Sequence, residues 1–236
     1  MLVACASTPR PRAVILISAN AEWQAVLAHV ALEVQHSPYG DWALRTLGGE
    51  PTVIFHGGYG KTSAAGSTQY AIDRWHPRLL LNLGTAGGFA PDVHVGDVVL
   101  VTKTTIYDLY EAMGDAAETI ADYASPIDTS RWPARLAARV HPGPIVSADR
   151  DLVPAEVGKL RETYRASVGD WESGSIAFVA RKNGVPLIIL RAVTDALDVD
   201  HPSPTTGNVA AWKRETEQVM AVLLDLAAEA LPELVR

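Results

Sequence analysis

Three acidic residues stand where this sequence could carry out chemistry. Glu22 follows the first predicted strand, Asp195 follows a buried strand late in the chain, and Glu172 opens a predicted helix. Ligands of open α/β sheets bind beyond the carboxyl ends of the strands, so we expect these three side chains to converge on one cleft. A carboxyl group can serve as an acid near neutral pH where burial raises its pKa, and the apolar strand before Asp195 could supply that burial.

Each of these residues also has a purely structural interpretation. Asp195 could cap the turn that follows its strand. Glu172 and Glu22 could complement the dipoles of the helices that begin near them. The residues alone leave both interpretations open.

Other motifs of this sequence exclude several classes of site. Glycine clusters at 57–60 and 84–88 follow predicted strands, where glycine permits a tight turn or a close approach of the backbone. Neither cluster matches a dinucleotide-binding fingerprint or a phosphate-binding P-loop, and no Gly-x-Ser-x-Gly elbow is present. His56 lacks metal-ligand spacing around it, so we interpret it as a structural or surface residue.

The length of the chain indicates one sizeable domain, and its composition and charge indicate a small-molecule partner. The 236 residues carry a net charge of −7, which argues against a nucleic acid or an anionic membrane as partner. Cys5 is the single cysteine, so no internal disulfide can form and a cytoplasmic location is expected. We expect residues 1–12 to form a loose leader and residues 13–236 to form a single domain. No metal or organic cofactor is indicated.

Apolar runs alternate with helical patterns along the chain. This alternation predicts an α/β fold with a mainly parallel sheet covered by helices. Strands are expected at 13–17, 52–55, 79–83, 98–101, 145–147 and 187–193, and helices at 21–34, 61–75, 171–183 and 209–231.

Six segments of the sequence, taken in their order and spacing, indicate a family. They are GYGKTSAA at 58–65, LNLGTAGG at 81–88, VGDVV at 95–99, GPIVSAD at 143–149, DWES at 170–173 and VPLIILRAVTD at 185–195. Together they resemble the nucleoside phosphorylase/uridine phosphorylase superfamily over residues 13–230, and within it the methylthioadenosine/S-adenosylhomocysteine nucleosidase branch. The resemblance implies a three-layer α/β/α sandwich with a central mixed, mostly parallel sheet. It also implies a homo-oligomer, commonly a dimer among nucleosidases and a hexamer among phosphorylases.

The resemblance also implies roles for individual residues. Asp195 would protonate or hydrogen-bond N7 of a leaving purine base, Glu22 would orient and deprotonate the attacking water, and Glu172 would hold the ribose hydroxyls. These roles suit cleavage of a glycosidic bond, which needs an acid at the leaving group and a base on the opposite face of the sugar. The remaining expected substrate-binding residues are Thr85, Ala86, Gly87, Asp151, Leu152, Trp171 and Thr194. Trp171 replaces a Met that packs against the ribose, and Asp151 stands near the place of an aromatic residue that stacks on the base.

The nucleophile is predicted from the positions of arginines. Phosphate binding needs guanidinium groups, and phosphorylases of the superfamily carry one on the third strand and one in the first strand-to-helix loop. Here Asn82 or Leu83 occupies the strand position, and the loop at 18–22 has no arginine. The sequence therefore predicts hydrolysis of a purine nucleoside. The first alternative is a phosphate-dependent phosphorylase, in which Arg45 would enter a neighbouring subunit's site. A non-catalytic nucleoside-binding protein is the second, and the Glu172/Asp195 pair argues against it.

Overall fold

Strands and helices alternate along most of the chain in the computed structural model, which describes residues 10–197 and 208–236. Residues 1–9 of the expected leader lie outside the described residues. The strands are β1 (Ala13–Ile17), β2 (Gln35–Ser37), β3 (Gly40–Leu47), β4 (Glu50–His56), β5 (Leu79–Phe89), β6 (Val98–Ile106), β7 (Ala124–Pro126), β8 (His141–Ser147), β9 (Val168–Asp170) and β10 (Leu187–Leu197). The helices are α1 (Asn20–His29), α2 (Gly60–Trp75), α3 (Ala116–Asp122), α4 (Pro154–Tyr164), α5 (Ser173–Lys182) and α6 (Val209–Leu234), and a 3₁₀ turn spans Ala134–Arg139.

The strands form one mixed sheet, which confirms the predicted α/β class. Their order is β10-β6-β8-β9-β5-β1-β4-β3-β2, with β7 beside β6. Because β10 also pairs with β5, the strands β5, β9, β8, β6 and β10 close into a ring. Five of the described strand pairings are parallel and five are antiparallel, and the longest of them, between β10 and β5, is parallel. The antiparallel pairs are the two of the β2-β3-β4 meander, where short turns impose that direction, and the pairs β10–β6, β5–β9 and β6–β7.

Helices cover both faces of β1 and its neighbours, which explains the continuous apolar runs. All five residues of β1 are buried. Ile15 packs in a core cluster with residues of α1 and α6, whereas Val14 packs in a second cluster with residues of α2 and α5. Alternate side chains of a strand point to opposite faces, so a strand covered on both faces is apolar throughout. No helix within the described ranges is long and apolar enough to cross a membrane.

Strand β5 continues where the sequence predicted a turn. The segment 84–88 is part of β5 and pairs with β10 on one side, and Gly87 and Gly88 also pair with β9 on the other. Glycine is needed here because side chains of other elements lie over the strand. A Cβ atom on Gly88 would lie 2.6 Å from Val193 Cγ1, and one on Gly84 would lie 1.9 Å from Arg191 Nη1. Gly84 thus makes room for the side chain of Arg191, and Gly88 for that of Val193.

Candidate active site

Glu22 connects the start of α1 to the end of β5. Its buried carboxyl group accepts a hydrogen bond from the Ala19 amide at 3.0 Å through Oε2, so the helix-terminus interpretation describes part of its role. The other oxygen, Oε1, accepts from the Thr85 amide at 2.6 Å and from Thr85 Oγ1 at 3.0 Å. Glu22 is therefore held rigidly against the glycine-rich half of β5.

Asp195 lies beside the same part of β5. A register shift between Val193 and Asp195 interrupts the pairing of β10 with β5, and Asp195 then pairs with Gly87. Such bulges redirect side chains. The strand runs on to Leu197, so Asp195 does not cap a turn. Burial raises the pKa of Asp195, although a hydrogen bond from Thr194 Oγ1 at 3.0 Å opposes the shift. The protonated form of this carboxyl group therefore persists to a higher pH than usual.

Glu172 is buried at the N-cap position of α5 and makes no side-chain capping bond to that helix. Its Oε1 instead accepts from the Gly60 amide at 3.0 Å, at the start of α2. Burial and the nearby Asp170 raise the pKa of Glu172 to about 8, against the opposing effects of Arg191 and the Gly60 amide. Near neutral pH this carboxyl group therefore holds a proton and can both donate and accept hydrogen bonds.

Arg191, which was not selected from the sequence, joins β5, β9 and α5 through a buried polar network. Its side chain is fully buried, with Nη2 2.7 Å from Asp170 Oδ2. Nη2 also donates to Asn82 Oδ1 at 2.8 Å, and Nε donates to Ser173 Oγ at 2.9 Å. A signal was present in the sequence, because Arg191 is the one charged residue in the apolar run at 187–193.

One nitrogen of Arg191 faces Glu22. Nη1 is buried, makes no hydrogen bond to the described residues and lies 3.9 Å from Glu22 Oε1. A guanidinium N–H and a carboxylate oxygen at this separation can bind one water molecule between them. Gly84 makes room for this arrangement, since a Cβ atom there would lie 2.7 Å from Glu22 Oε1.

Several expected substrate-binding residues surround the same end of β5. Ala86 is buried in the core, and Thr85 carries the bonds to Glu22. Leu152 packs over Gly87 of β5 and Gly169 of β9: a Cβ atom on either glycine would lie within 3 Å of its side chain. The same Cβ atom on Gly87 would lie 3.4 Å from Asp195 Oδ2. These apolar groups form a wall beside the carboxyl group of Asp195.

Trp171 precedes Glu172 in the chain and is partly buried. Its ring contacts the ring of Tyr59 with 4.8 Å between centroids. Partial burial and the charges of Glu172 and Asp151 raise the pKa of Tyr59 to about 12. Tyr59, which was not selected from the sequence, therefore lies beside the candidate site through its contact with Trp171. Asp151 itself is exposed to solvent.

The described residues, 10–197 and 208–236, contain no group of three or more His, Cys, Asp or Glu side chains arranged to hold a metal ion.

Comparison with known proteins identifies the family. Residues 11–231 match the Phosphorylase superfamily. The chain is 31% identical over 162 residues to a 5'-methylthioadenosine/S-adenosylhomocysteine nucleosidase of Anoxybacillus flavithermus, covering 64% of this chain and 70% of that protein. It is 24% identical to the nucleosidase of the same name from Maridesulfovibrio salexigens, covering 93% of this chain and 98% of that one. The solved structure of Arabidopsis thaliana 5'-methylthioadenosine nucleosidase is similar in fold, with a TM-score of 0.78, 22% identity and coverage of 95% of this chain and 96% of that chain. The chain therefore belongs to the Phosphorylase superfamily.

Proposed function

We propose that this protein hydrolyses the N-glycosidic bond of a purine nucleoside of the methylthioadenosine/S-adenosylhomocysteine type and releases the free base and the ribose moiety. The observation that carries the proposal is the pair of carboxyl groups beside β5. Burial favours the protonated form of Asp195, whereas Glu22 accepts two hydrogen bonds from Thr85 and faces Arg191. The relatives named as nucleosidases support the same reaction.

The proposed mechanism uses an acid and a base. Asp195 donates its proton, or a hydrogen bond, to N7 of the purine while the glycosidic bond breaks and positive charge develops on the ribose. Glu22, together with Nη1 of Arg191, orients a water molecule and takes its proton as it attacks the anomeric carbon. Thr194 holds the Asp195 carboxyl group through its hydroxyl group.

The remaining residues bind the substrate. Glu172, fixed by the Gly60 amide, holds the ribose hydroxyls, and Trp171 packs against the sugar. The backbone of Thr85, Ala86 and Gly87 and the side chain of Leu152 lie beside the base. Asp151 is proposed to stand at the rim of the base pocket.

Water is proposed as the nucleophile because of the charges around Arg191. Two of its three nitrogens are bound to Asp170, Asn82 and Ser173. A phosphate at the remaining nitrogen would meet the carboxyl group of Glu22, which repels it. Arg45, the arginine considered for a phosphorylase, donates to the Ala31 carbonyl oxygen at 3.3 Å from its place in β3.

The proposal also covers the domain organisation, the cellular location and the oligomeric state of the enzyme. We propose a single domain over residues 13–236 with a three-layer α/β/α arrangement, acting in purine salvage in the cytoplasm as a homo-oligomer, with a dimer favoured. The match to the superfamily over residues 11–231 supports the single domain. Helices on both faces of the sheet support the layers.

The proposed acid can be tested by substitution. Base release from methylthioadenosine is measured for the wild type and for Asp195→Asn. The variant should lose about 10²-fold or more in kcat, the usual scale for loss of a general acid. Near-normal turnover by Asp195→Asn would exclude this residue as the acid.

A further inference from the structure

A charged cluster at the start of α2 lies next to the proposed ribose site. It consists of Lys61, Asp108 and Asp149, which we call the α2 clamp. We propose that Lys61 is a positioning residue for the nucleosidase reaction: through the α2 clamp it fixes the Gly60 amide that binds Glu172. The inference rests on the proposed function, because Glu172 is assigned there to the ribose hydroxyls.

Side-chain contacts hold Lys61 between two strand ends. Its ammonium group is bonded to Asp108 Oδ1, just beyond β6, and lies 3.9 Å from Asp149 Oδ2, just beyond β8. The Lys61 side chain is 20% exposed and that of Asp108 18% exposed. Ion pairs shielded from solvent to this degree are screened less than surface pairs. The Lys61–Asp108 pair is thus the shielded one, whereas Asp149, 42% exposed, lies beside the same cation from a different strand end.

Backbone contacts link the same carboxylates to the helix. The Lys61 amide donates to Asp149 Oδ1 at 2.7 Å, and the Asp149 amide donates to Asp108 Oδ2 at 3.0 Å. The neighbouring Gly60 amide donates to Glu172 Oε1 at 3.0 Å. Two consecutive amides at the positive end of α2 therefore bind two carboxyl groups, one in the α2 clamp and one in the proposed ribose site.

The backbone of the turn that leads into α2 must pass close to the α2 clamp. Gly58 and Gly60 have φ values of +85° and +81°, which glycine adopts without strain. A Cβ atom on Gly60 would lie 3.1 Å from Asp149 Oδ1, so the backbone must come close to this carboxylate. The direction of the Gly60 N–H depends on where Asp149 holds the first turn of the helix.

Removing the ammonium group leaves Asp108 and Asp149 close together without a cation. Their repulsion moves Asp149 away from the Lys61 amide, and the first turn of α2 follows. The Gly60 amide then no longer meets Glu172 in the geometry shown. Asp195, which is assigned to the base, lies on β10, and its carboxyl group is bonded to Thr194, so the free base should bind as before.

The test compares nucleoside and free base in three variants. Lys61→Met removes the charge at similar length, Lys61→Arg keeps it, and Lys159→Met removes an exposed charge on α4 as the matched control. For Lys61→Met, the KM for methylthioadenosine should rise about tenfold, the scale of one lost hydrogen bond, while inhibition by adenine stays unchanged. Lys61→Arg should restore the KM, and Lys159→Met should match the wild type.

Two results would overturn the positioning role. One is an unchanged KM in Lys61→Met, and the other is an equal loss of nucleoside and adenine binding, which a merely structural role produces. Lys61→Gln is the second variant should Lys61→Met fail to fold, since it also removes the cation between Asp108 and Asp149, and it should show the same selective rise in KM. Hydrogen exchange of the amides at 57–66 separates this inference from the proposed function. Faster exchange in Lys61→Met supports the clamp even if the wild type hydrolyses no nucleoside, and unchanged exchange rejects it even if the wild type is active.

Discussion

Arg191 provides a sharp test of how the site is held together. Its guanidinium group is fully buried and binds Asp170, Asn82 and Ser173 at 2.7–2.9 Å. Arg191→Met removes the charge and keeps an apolar side chain of similar reach. Asp170 is itself 7% exposed, so the substitution leaves its carboxyl group buried beside Ser147 and Ser173 without a cation.

The expected cost follows from that burial. Breaking a buried ion pair by removing one partner costs about 3–5 kcal/mol, because the other charge stays desolvated. A domain has about 5–15 kcal/mol of stability, so this loss would be a large fraction of the free energy of unfolding. The same substitution at Arg135, whose side chain is 51% exposed in its ion pairs, should cost about 1 kcal/mol or less.

Urea denaturation followed by circular dichroism measures these free energies. Arg191→Met should lower the midpoint far more than Arg135→Met. The double variant Arg191→Met/Asp170→Asn should recover part of the loss, because the buried charge is then gone. Two results would refute the account of Arg191 as the structural centre of the site. One is a loss of unfolding free energy in Arg191→Met no larger than that in Arg135→Met. The other is a double variant that loses more unfolding free energy than the sum of its two single changes.

Two further predictions follow from the site. In the folded protein the pKa of Glu172 is about 8, above its ordinary 4.5, so folding favours the protonated form of this carboxyl group. The melting temperature should therefore fall as the pH rises from about 4.5 through 8. Glu172→Gln should flatten this fall in a melting series across those pH values, and an equally steep fall in the variant would contradict the assignment. Gly84→Ala places a Cβ atom 1.9 Å from Arg191 Nη1, so kcat should drop about 10²-fold through displacement of Arg191 and Glu22, as measured by base release. An active Gly84→Ala enzyme would show that this close packing is not required.

The elements that the sequence predicted well are those with a strong local pattern. Strand β1 and the first part of β10 are unbroken apolar runs, and α6 has regular apolar spacing, so each was expected close to its observed position. Strands β2 and β9 have three residues each and carry no such pattern. They form because neighbouring strands pair with them, which is a property of the whole fold.

The same distinction holds within the candidate site. The structure places Glu22 and Asp195 against the second half of β5, and Glu172 against the first turn of α2. Arg191 could not be placed from sequence, since its role depends on Gly84 of the adjacent strand. The position of Tyr59 depends equally on a contact with Trp171, which is more than a hundred residues away along the chain.

The central claim is hydrolysis, and product analysis in phosphate-free buffer tests it most directly. Purified enzyme is incubated with methylthioadenosine, and the base and sugar products are separated by chromatography with and without added phosphate. The account predicts adenine and free methylthioribose at the same rate in both buffers. Release of adenine only when phosphate is present, with a sugar phosphate as the second product, would contradict it.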